Sequence, residues 1–572
     1  MALCVFAGCS NEDLTGSGNN QGQPSKGDLH MTLNISQASV MGTRTSTPNQ
    51  GVEQGKDAEN KISKALLIVA DADSKIVSVV NIVPGASGKA EIVSSPDGTT
   101  HTAKFQLDRQ VLQEKVANGS YEFKLFMIAN PTNDIVTLYT ETKKAGANVQ
   151  DVFTLAAEDN ENKFWSPNNF LMSSADWTKK TITADDIKEG MHTTADNPLN
   201  LGTIEVQRDM SRFDLATADK YTVFNTENKN SELGSLVVSF DGVALINMAT
   251  MANMFKEVGN TPGDKAMFVK EAKENYVFSP DQTTWRHAMY SGSNTATQTG
   301  TCLTFNNGNL EYTLISTLTE NDNEYTHPTT ETPVGEPDYK IWRYCMPNTN
   351  YDKTNQKHGN TTGVVFRAEI TGSFQYWVKE NNPSYSEETK TEQPEFIYKS
   401  ASKNISGLGT VLYAYNNTIY GDLEGLTCFV EGGEPEDEAE LYEYTKVKLA
   451  YENAMAGITT DDNDAKEKAL VKNGFTIYRP DGNGKYMCYY IYWNRHNDNN
   501  NPGLMGPTEF ATVRNNVYKL SVNKITRLGR PVNPSDDPEP DEPGTDDETD
   551  KLWGDVVCRI LPWEVRVNGI EF

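Results

Sequence analysis

The sequence lacks the side-chain patterns on which most enzyme and cofactor sites are built. It contains no HExxH, no GxSxG and no glycine-rich nucleotide fingerprint, and its seven histidines are scattered over 572 residues. A carboxylate pair for glycoside hydrolysis, as a surface hydrolase would need, is not marked among the 79 acidic residues. We therefore predict no catalytic, cofactor-binding or metal-binding residue.

Cysteine is also sparse and without a metal-binding pattern. No two cysteines form a CxxC, and no histidine lies at a zinc-ligand spacing from any of them. We expect isolated buried thiols, with one or two disulfides as the alternative. The seven are Cys4, Cys9, Cys302, Cys345, Cys428, Cys488 and Cys558.

Positive charge is in short supply. Lys and Arg number 51 against 79 Asp and Glu, which gives a formal net charge of −28. Nucleic acid and anionic membranes would repel such a chain, so neither is expected as a partner. The balance suits a soluble protein of the cell surface. At this length the chain exceeds one hydrophobic core, and two or more domains are expected.

The N-terminus, ALCVFAGCSNED, is similar to the end of a lipoprotein signal peptide. Small residues Ala7 and Gly8 precede Cys9, and an apolar run precedes them. The charged start of a signal is missing and the apolar run is short, so residues 1–9 are interpreted as a truncated signal with its lipobox. Cys9 is then the lipidation site; the alternative is a chance apolar N-terminus. Residues 10–28, rich in Gly, Ser, Asn and Gln, are expected to form a flexible tether.

The chain that follows has mainly the period of β-strands. Apolar and polar residues alternate most clearly in the first run, which predicts a strand with one buried face. Helical patterns are few, the better ones lying at 108–116 and 251–258, and no internal repeat is evident. A second β-rich region runs from 204 to about 530. The alternating apolar residues of the first run are Leu29, Met31, Leu33 and Ile35.

The end of the chain combines a spacer with a strand. Residues 531–550 are rich in Pro and acid and are expected to form an extended linker. A second strand pattern with one apolar face follows the linker. This strand would either pair at the edge of its own domain or be donated to a sheet of another molecule. Its apolar residues of one parity are Val557, Leu561, Trp563, Val565 and Val567.

Two aromatic runs leave a second function open. The runs at 374–378 and 489–493 would either stack on sugars or be buried between sheets. In the first case the protein would be a lipid-anchored glycan-binding protein that does not polymerise.

Five stretches, in order, together resemble one family. They are NKISKALLIV (60–69), IEVQRDMSRF (204–213), YCMPNTNYDKTNQKHGNTTGVVFRAEI (344–370), VRNNVYKLSVNKITRLGRP (513–531) and LPWEVRV (561–567). With these stretches the chain resembles the fimbrillins of Gram-negative anaerobes, and most closely the minor-fimbrillin (Mfa-type) major subunit.

The resemblance implies a mainly β fold of two β-sandwich, transthyretin-like domains with few short helices. The N-terminal domain would span 29–204, with 29–44 removable, and the C-terminal domain 205–530. The linker at 531–550 and a donor strand at 551–572 would follow.

The resemblance also implies how such a subunit assembles. Lipid on Cys9 anchors the precursor to the outer membrane, and a surface arginine-specific protease cuts between Arg44 and Thr45. Removing the strand Leu29–Ile35 opens an apolar groove, which the donor strand of another copy fills at about Val556–Val567. An ordinary solvated arginine at 44, or cleavage by a lysine-preferring enzyme at Lys56, Lys61 or Lys64, are the alternatives.

The expected role is a structural stalk subunit of a surface fimbrium that serves adhesion. Its partners would be other copies of itself in a head-to-tail polymer, anchor and tip subunits, the protease, and a receptor on a host or bacterial surface. No cofactor is implied.

Overall fold

The computed structural model describes most of the chain. The described residues are 28–37, 55–85, 90–95, 100–117, 119–154, 163–216, 220–223, 236–246, 248–249, 251–261, 263–267, 276–280, 287–288, 312–318, 339–349, 361–459, 461–496, 504–531 and 555–562.

The strands of the first part are β1 (Asp28–Gln37), β2 (Ala65–Ala70), β3 (Ile76–Ile82), β4 (Glu91–Ser94), β5 (Thr100–Asp108), β6 (Ser120–Ala129), β7 (Val152–Thr154), β8 (Trp165–Ser166), β9 (Asn169–Phe170), β10 (Met172–Ser174), β11 (Thr178–Thr183) and β12 (Leu199–Arg208).

The strands of the second part are β13 (Ser211–Ala216), β14 (Tyr221–Thr222), β15 (Leu236–Ile246), β16 (Met248–Ala249), β17 (Met251–Asn253), β18 (Glu257–Gly259), β19 (Ala266–Met267), β20 (Tyr276–Phe278), β21 (His287–Ala288), β22 (Thr313–Leu314), β23 (Lys340–Cys345), β24 (Asn348–Thr349), β25 (Gly363–Asn381), β26 (Phe396–Asn404), β27 (Leu412–Tyr415), β28 (Thr418–Gly421), β29 (Thr476–Tyr478), β30 (Tyr486–Trp493), β31 (Ala511–Thr512), β32 (Asn516–Lys524), β33 (Arg530–Pro531) and β34 (Asp555–Pro562).

The α-helices are α1 (Asp57–Asn60), α2 (Arg109–Val116), α3 (Asn133–Thr137), α4 (Leu423–Gly432), α5 (Glu438–Met455) and α6 (Asn463–Lys472). Leu138–Thr142 forms a π-helical turn and Ile315–Thr317 a 3₁₀ turn. The chain is mainly β, which confirms the predicted fold class. The 18-residue α5 is longer than the short helices expected, and it packs with α4 and α6 in one insertion of the second part.

One nine-stranded sheet organises the first part. Its order is β3-β2-β6-β10-β12-β1-β5-β4, with β11 also paired to β6. Apolar side chains from most of these strands meet in one large core. The core also takes in Met254, Phe255, Tyr344 and Val517 from the second part, so the two parts are packed together across a shared surface.

Two sheets enclose the main core of the second part. One has the order β23-β13-β32-β34, and the other β14-β15-β25-β30-β33, with β22 on β15 and β26 on β25. Phe213 and Leu520 of the first sheet share a core with Val243, Phe366 and Tyr490 of the second. Side chains from two facing sheets that fill one core make a β-sandwich.

The two parts repeat a four-strand arrangement that the sequence did not reveal. In the first part β10-β12-β1-β5 are neighbours, and in the second β34-β32-β13-β23. In both sets the third strand runs parallel to the second and antiparallel to the fourth, and the first runs antiparallel to the second. The tail strand β34 thus corresponds to β10, and β1 corresponds to β13.

One of the two predicted helices is confirmed and the other is wrong. Asp108 caps α2 by accepting a hydrogen bond from the Gln110 amide, as the pattern at 108–116 indicated. The segment 251–258 instead forms β17 and the start of β18. The Arg514 guanidinium binds the carbonyl oxygens of Asn253 and Met254, which a helix would have used internally.

Candidate functional site

The first strand, β1, is an interior strand of its sheet. It pairs in parallel with β12 on one side and antiparallel with β5 on the other, over almost its whole length. Its four apolar side chains are at most 2% exposed, which confirms the predicted one-faced strand. They are Leu29, Met31, Leu33 and Ile35.

The neighbours of β1 define the groove that would remain without it. On the β5 side, Leu107, Phe105 and Ala103 face Leu29, Met31 and Leu33 in register and are buried. On the β12 side, Leu199 pairs with Met31, Ile204 pairs with Ile35, and Leu201 lies between them in sequence. We call the space between β5 and β12 the β1 groove. Its floor is apolar, and its walls are two strand edges with backbone hydrogen-bonding groups.

The polar face of β1 makes side-chain contacts with β5. Asn34 is exposed and accepts a hydrogen bond from the Thr102 hydroxyl at 3.0 Å. The His30 and Gln106 side chains meet at 3.2 Å. Gly202, at a φ of 96°, lies where the register between β1 and β12 shifts, and a glycine adopts this conformation without strain.

Several predicted site residues lie outside the described part of the chain. They are Cys9, Arg44, Thr45, Trp563, Val565 and Val567. Val557 and Leu561 lie in β34, whose backbone pairs antiparallel with β32, opposite Ser521 and Val517. In this conformation Asp555–Pro562 forms an edge strand of its own domain, and the β1 groove is filled by β1 itself.

The chain after residues 38–54 is anchored in a buried ionic cluster. Glu59 of α1 is completely buried, and its carboxylate accepts two hydrogen bonds of 3.1 Å from the Arg212 guanidinium. It also accepts one of 2.5 Å from the Tyr344 hydroxyl and one of 2.8 Å from the Lys56 amide. Arg212 in turn forms a bidentate pair with Asp214 at 2.8 Å. We call Glu59, Arg208, Arg212, Asp214 and Tyr344 the junction cluster.

Arg208 completes this cluster from the end of β12. Its guanidinium binds the Asn60 side chain and donates to the Glu59 carbonyl at 3.3 Å, while its amide donates to the Asn515 side chain at 3.1 Å. Gly55 packs so closely against this guanidinium that a Cβ there would collide with it. The same strand therefore borders the β1 groove and fixes α1.

A second buried pair lies beside the first. Asp209 accepts hydrogen bonds of 2.8 Å from Arg514 and 2.6 Å from Ser173. Burial raises the pKa of Asp209 to about 7, although Arg514 and Ser173 oppose the shift. Burial also acts to raise the pKa of Glu59, but Arg212 and Arg208 outweigh it and lower that pKa.

Asp209 and Glu59 are expected to make stability depend on pH in opposite directions. Because the pKa of Asp209 is raised in the folded state, this residue contributes to folding stability fully at pH values below its ordinary pKa of 3.8. That contribution is lost as the pH rises towards 7. Because the pKa of Glu59 is lowered in the folded state, this residue contributes to folding stability at pH values above its ordinary pKa. That contribution is lost as the pH falls below the ordinary pKa. Urea unfolding of Asp209→Asn and the parent between pH 4 and 7 should show the parent's relative stability falling with pH. A constant difference would contradict the assignment.

The sequence drew attention to both stretches that carry the buried ion pairs, but it did not reveal that their charged residues pair with each other. IEVQRDMSRF and VRNNVYK each place charge inside an apolar strand pattern, and that was the available signal. Buried charges are stable only when they are paired, so each of these arginines required a buried acid. Glu59 gave no signal because it lies in a short polar segment.

The aromatic runs do not form an exposed platform. Tyr489, Tyr490, Tyr492 and Trp493 are buried, and so is Phe374. Their rings fill the cores of the second part, which argues against the glycan-binding alternative at these residues.

Lysine positions near the proposed cut differ in access. Lys56 is only 9% exposed and belongs to the turn that Glu59 holds, whereas Lys61 is exposed. Proteases bind extended, accessible chain, so cleavage at Lys56 is disfavoured.

The described residues contain neither a group of side chains that could hold a metal ion nor a helix that could span a membrane. Within these ranges no three His, Cys, Asp or Glu side chains come together in a metal-binding arrangement. Among the described helices, none is both long and apolar enough to cross a membrane. Cys428 and Cys488 are buried thiols, and burial raises the pKa of Cys488 to about 12.

Comparison with known proteins identifies a family for the C-terminal part. Structural similarity is found to a fimbrilin from Porphyromonas gingivalis (15% identity, 94% of this chain and 99% of that chain, TM-score 0.35). It is also found to the tip fimbrial protein Mfa3 of the same organism, with C-terminal truncation (9%, 87% and 95%, 0.29). A third similarity is to a fimbrial assembly protein from Parabacteroides distasonis (10%, 59% and 95%, 0.23).

No protein with a curated description matches the sequence. Residues 484–569, however, match the family described as "Major fimbrial subunit protein type IV, Fimbrillin, C-terminal". This stretch includes β32 and residues 561–567, which lie in two of the segments that carried the resemblance. The match supports the predicted resemblance to the fimbrillins, and it does so over residues 484–569.

Proposed function

We propose that this protein is a structural stalk subunit of a cell-surface fimbrium, of the minor-fimbrillin type. In this proposal it is exported as a lipoprotein acylated at Cys9 and cut between Arg44 and Thr45. It then polymerises when the tail of one copy enters the β1 groove of the next. The family match supports a fimbrial structural role rather than a catalytic one.

The observation that carries the proposal is the position of β1. β1 is hydrogen-bonded to a neighbouring strand on both edges and is buried on one face. Its covalent connection to the next described residue, Gly55, runs through residues 38–54, which contain Arg44. A cut after Arg44 leaves β1 held by non-covalent contacts alone. A strand of similar pattern can then replace it and restore both ladders, which is strand addition to a sheet.

The energetic scale is large enough to drive assembly. Four buried side chains of β1 size contribute on the order of 10 kcal/mol before the cost of ordering the strand. An emptied groove would expose the apolar floor and two unpaired strand edges. A contact between tail and groove is heterologous, so it builds an open filament instead of a closed ring.

The junction cluster would keep the new N-terminal segment of the cleaved protein folded. Gly55–Asn60 are held by Arg208 and Arg212 independently of β1, so loss of residues 1–44 leaves the following chain attached. Anchor and tip subunits, an arginine-specific surface protease and a surface receptor are the partners that complete the proposal.

The test is to treat the purified precursor with an arginine-specific protease and run it unboiled on a gel. We expect a ladder of multimers, because replaced strands resist dissociation without heat. Arg44→Lys should stay monomeric with this protease and form the ladder with a lysine-specific one.

The matched control is Arg527→Ala, which removes another exposed arginine and should leave the ladder unchanged. Precursor that is cleaved between Arg44 and Thr45, has lost residues 1–44 and still remains monomeric would refute the assembly proposal.

A further inference from the structure

The tail strand β34 makes a long ladder with its own domain. Its register with β32 runs from Asn516 opposite Pro562 to Lys524 opposite Asp555, with one irregularity near Val522. This ladder covers the part of the tail that contains Val557 and Leu561, two of the five residues assigned to the donor strand.

The partner strand β32 is built as an interior strand. It is flanked by β13 and β34, and its residues of both parities are buried. Val517 and Tyr518 are consecutive and both 0% exposed, although they face different cores. Departure of β34 would turn this strand into a bare apolar edge, which natural sheets avoid.

The tail sequence changes its pattern at Pro562. Before it, apolar residues occupy both parities, which is typical of a strand enclosed on two faces. From Trp563 to Asn568, apolar residues alternate with charged or polar ones, as they do in β1. The first set is Val556, Val557, Cys558, Ile560 and Leu561, and the second is Trp563, Val565 and Val567.

The ladder on β32 also ends at this point. Pro562 has no amide hydrogen to donate. On the other strand, Asn515 has a φ of 59° and its amide donates to the Met210 carbonyl, so the chain turns away before β32 begins. Asn516 fixes this turn with side-chain hydrogen bonds to the Val513 and Arg514 carbonyls. β32 therefore offers no ladder positions to residues after Pro562.

The repeated strand arrangement agrees with this division. β34 occupies the place that β10 has in the first part, and β10 is a permanent strand of its sheet. The exchangeable strand, β1, has a different place, between the second and fourth strands of the set.

We infer that the tail is divided at Pro562. Asp555–Pro562 stays on β32 of its own subunit in the polymer, and the donated strand begins at Trp563. A second copy of this chain then receives Trp563, Val565 and Val567 in its β1 groove. The inference rests on the proposed function and narrows the donor from Val556–Val567 to the part after Pro562.

The test ties β34 covalently to β32 in the full-length precursor. Lys519 and Arg559 are opposite each other in the ladder, at the Cα separation of about 5 Å that directly paired residues have. This falls in the range a disulfide spans. We therefore use Lys519→Cys with Arg559→Cys in a Cys558→Ser background, oxidised and then treated with the arginine-specific protease.

The tied subunit should give the same ladder as its reduced form. Loss of the ladder on oxidation, with recovery on reduction, would overturn the division while leaving the proposed function intact. If the reduced form and the parent also stay monomeric, the proposed function itself fails and the inference fails with it.

Two single substitutions give an independent measure. Val565→Asp should abolish the ladder and leave the thermal unfolding of the uncut precursor unchanged. Val557→Asp should lower the unfolding temperature of the precursor, because it disturbs the subunit's own sheet. Equal loss of the ladder in both variants with unchanged unfolding would overturn the division.

Discussion

Removing residues 563–572 is expected to give a folded subunit that terminates fimbriae instead of extending them. This truncation deletes Trp563, Val565 and Val567, so no strand remains for the next β1 groove. β1 and its groove are untouched, and a processed subunit should still accept the tail of an intact copy. Alone, it should show only monomer on an unboiled gel after protease treatment. Mixed with intact subunits, it should shorten the ladder in proportion to its fraction.

A longer truncation is the matched control. Deleting residues 553–572 should also abolish donation, but it should lower the unfolding temperature as well, because β32 loses its outer neighbour. Circular dichroism with a thermal ramp separates the two effects. A ladder of normal length from the 563–572 truncation alone would contradict strand donation by the residues after Pro562.

Replacing Glu59 with alanine should destabilise the protein more than any other single charge removal considered for this chain. The substitution leaves the Arg212 and Arg208 guanidiniums buried without the carboxylate between them. Removing one partner of a buried ion pair costs about 3–5 kcal/mol. The loss should appear in urea unfolding as a lower midpoint.

The same substitution should expose a new proteolytic site. In the parent, the backbone amide of Lys56 donates a hydrogen bond to the Glu59 carboxylate, which holds this turn in place. Without the carboxylate, a lysine-specific protease should cut the chain at Lys56. Glu91→Ala is the control, since its pair with Lys104 is solvent-exposed and worth less than about 1 kcal/mol. Equal unfolding midpoints for the two variants would show that the junction cluster does not stabilise the fold.

The strand patterns were the most predictable part of the fold. Leu29 and Leu33 alternate with polar residues, and such a strand can bury only one face, so its place in a sheet with a core on one side followed directly. The helix α2 was predictable because Asp108 is a capping residue at the start of an apolar helical period.

Other features depended on residues far away in sequence. The apolar spacing of Met251, Met254, Phe255 and Val258 fits a helix, but Arg514 and Gln150 bind the backbone of this segment and hold it extended. Local pattern cannot anticipate such contacts, because the competing partner lies more than a hundred residues away. The repeated four-strand arrangement was hidden for a similar reason, since it is conserved in direction and order rather than in side chains.

The sequence by itself determined that the chain is mainly β, that one-faced strand patterns lie near both ends, and that its C-terminal part resembles the fimbrillins. Those conclusions rest on periodicity and local motifs, which act over a few residues. Only the tertiary structure decided that β1 lies between β5 and β12, that Glu59 meets Arg212 across the junction, and that the tail pairs with β32 up to Pro562. These are long-range pairings, fixed by which strand edges and buried charges find partners after the chain has folded.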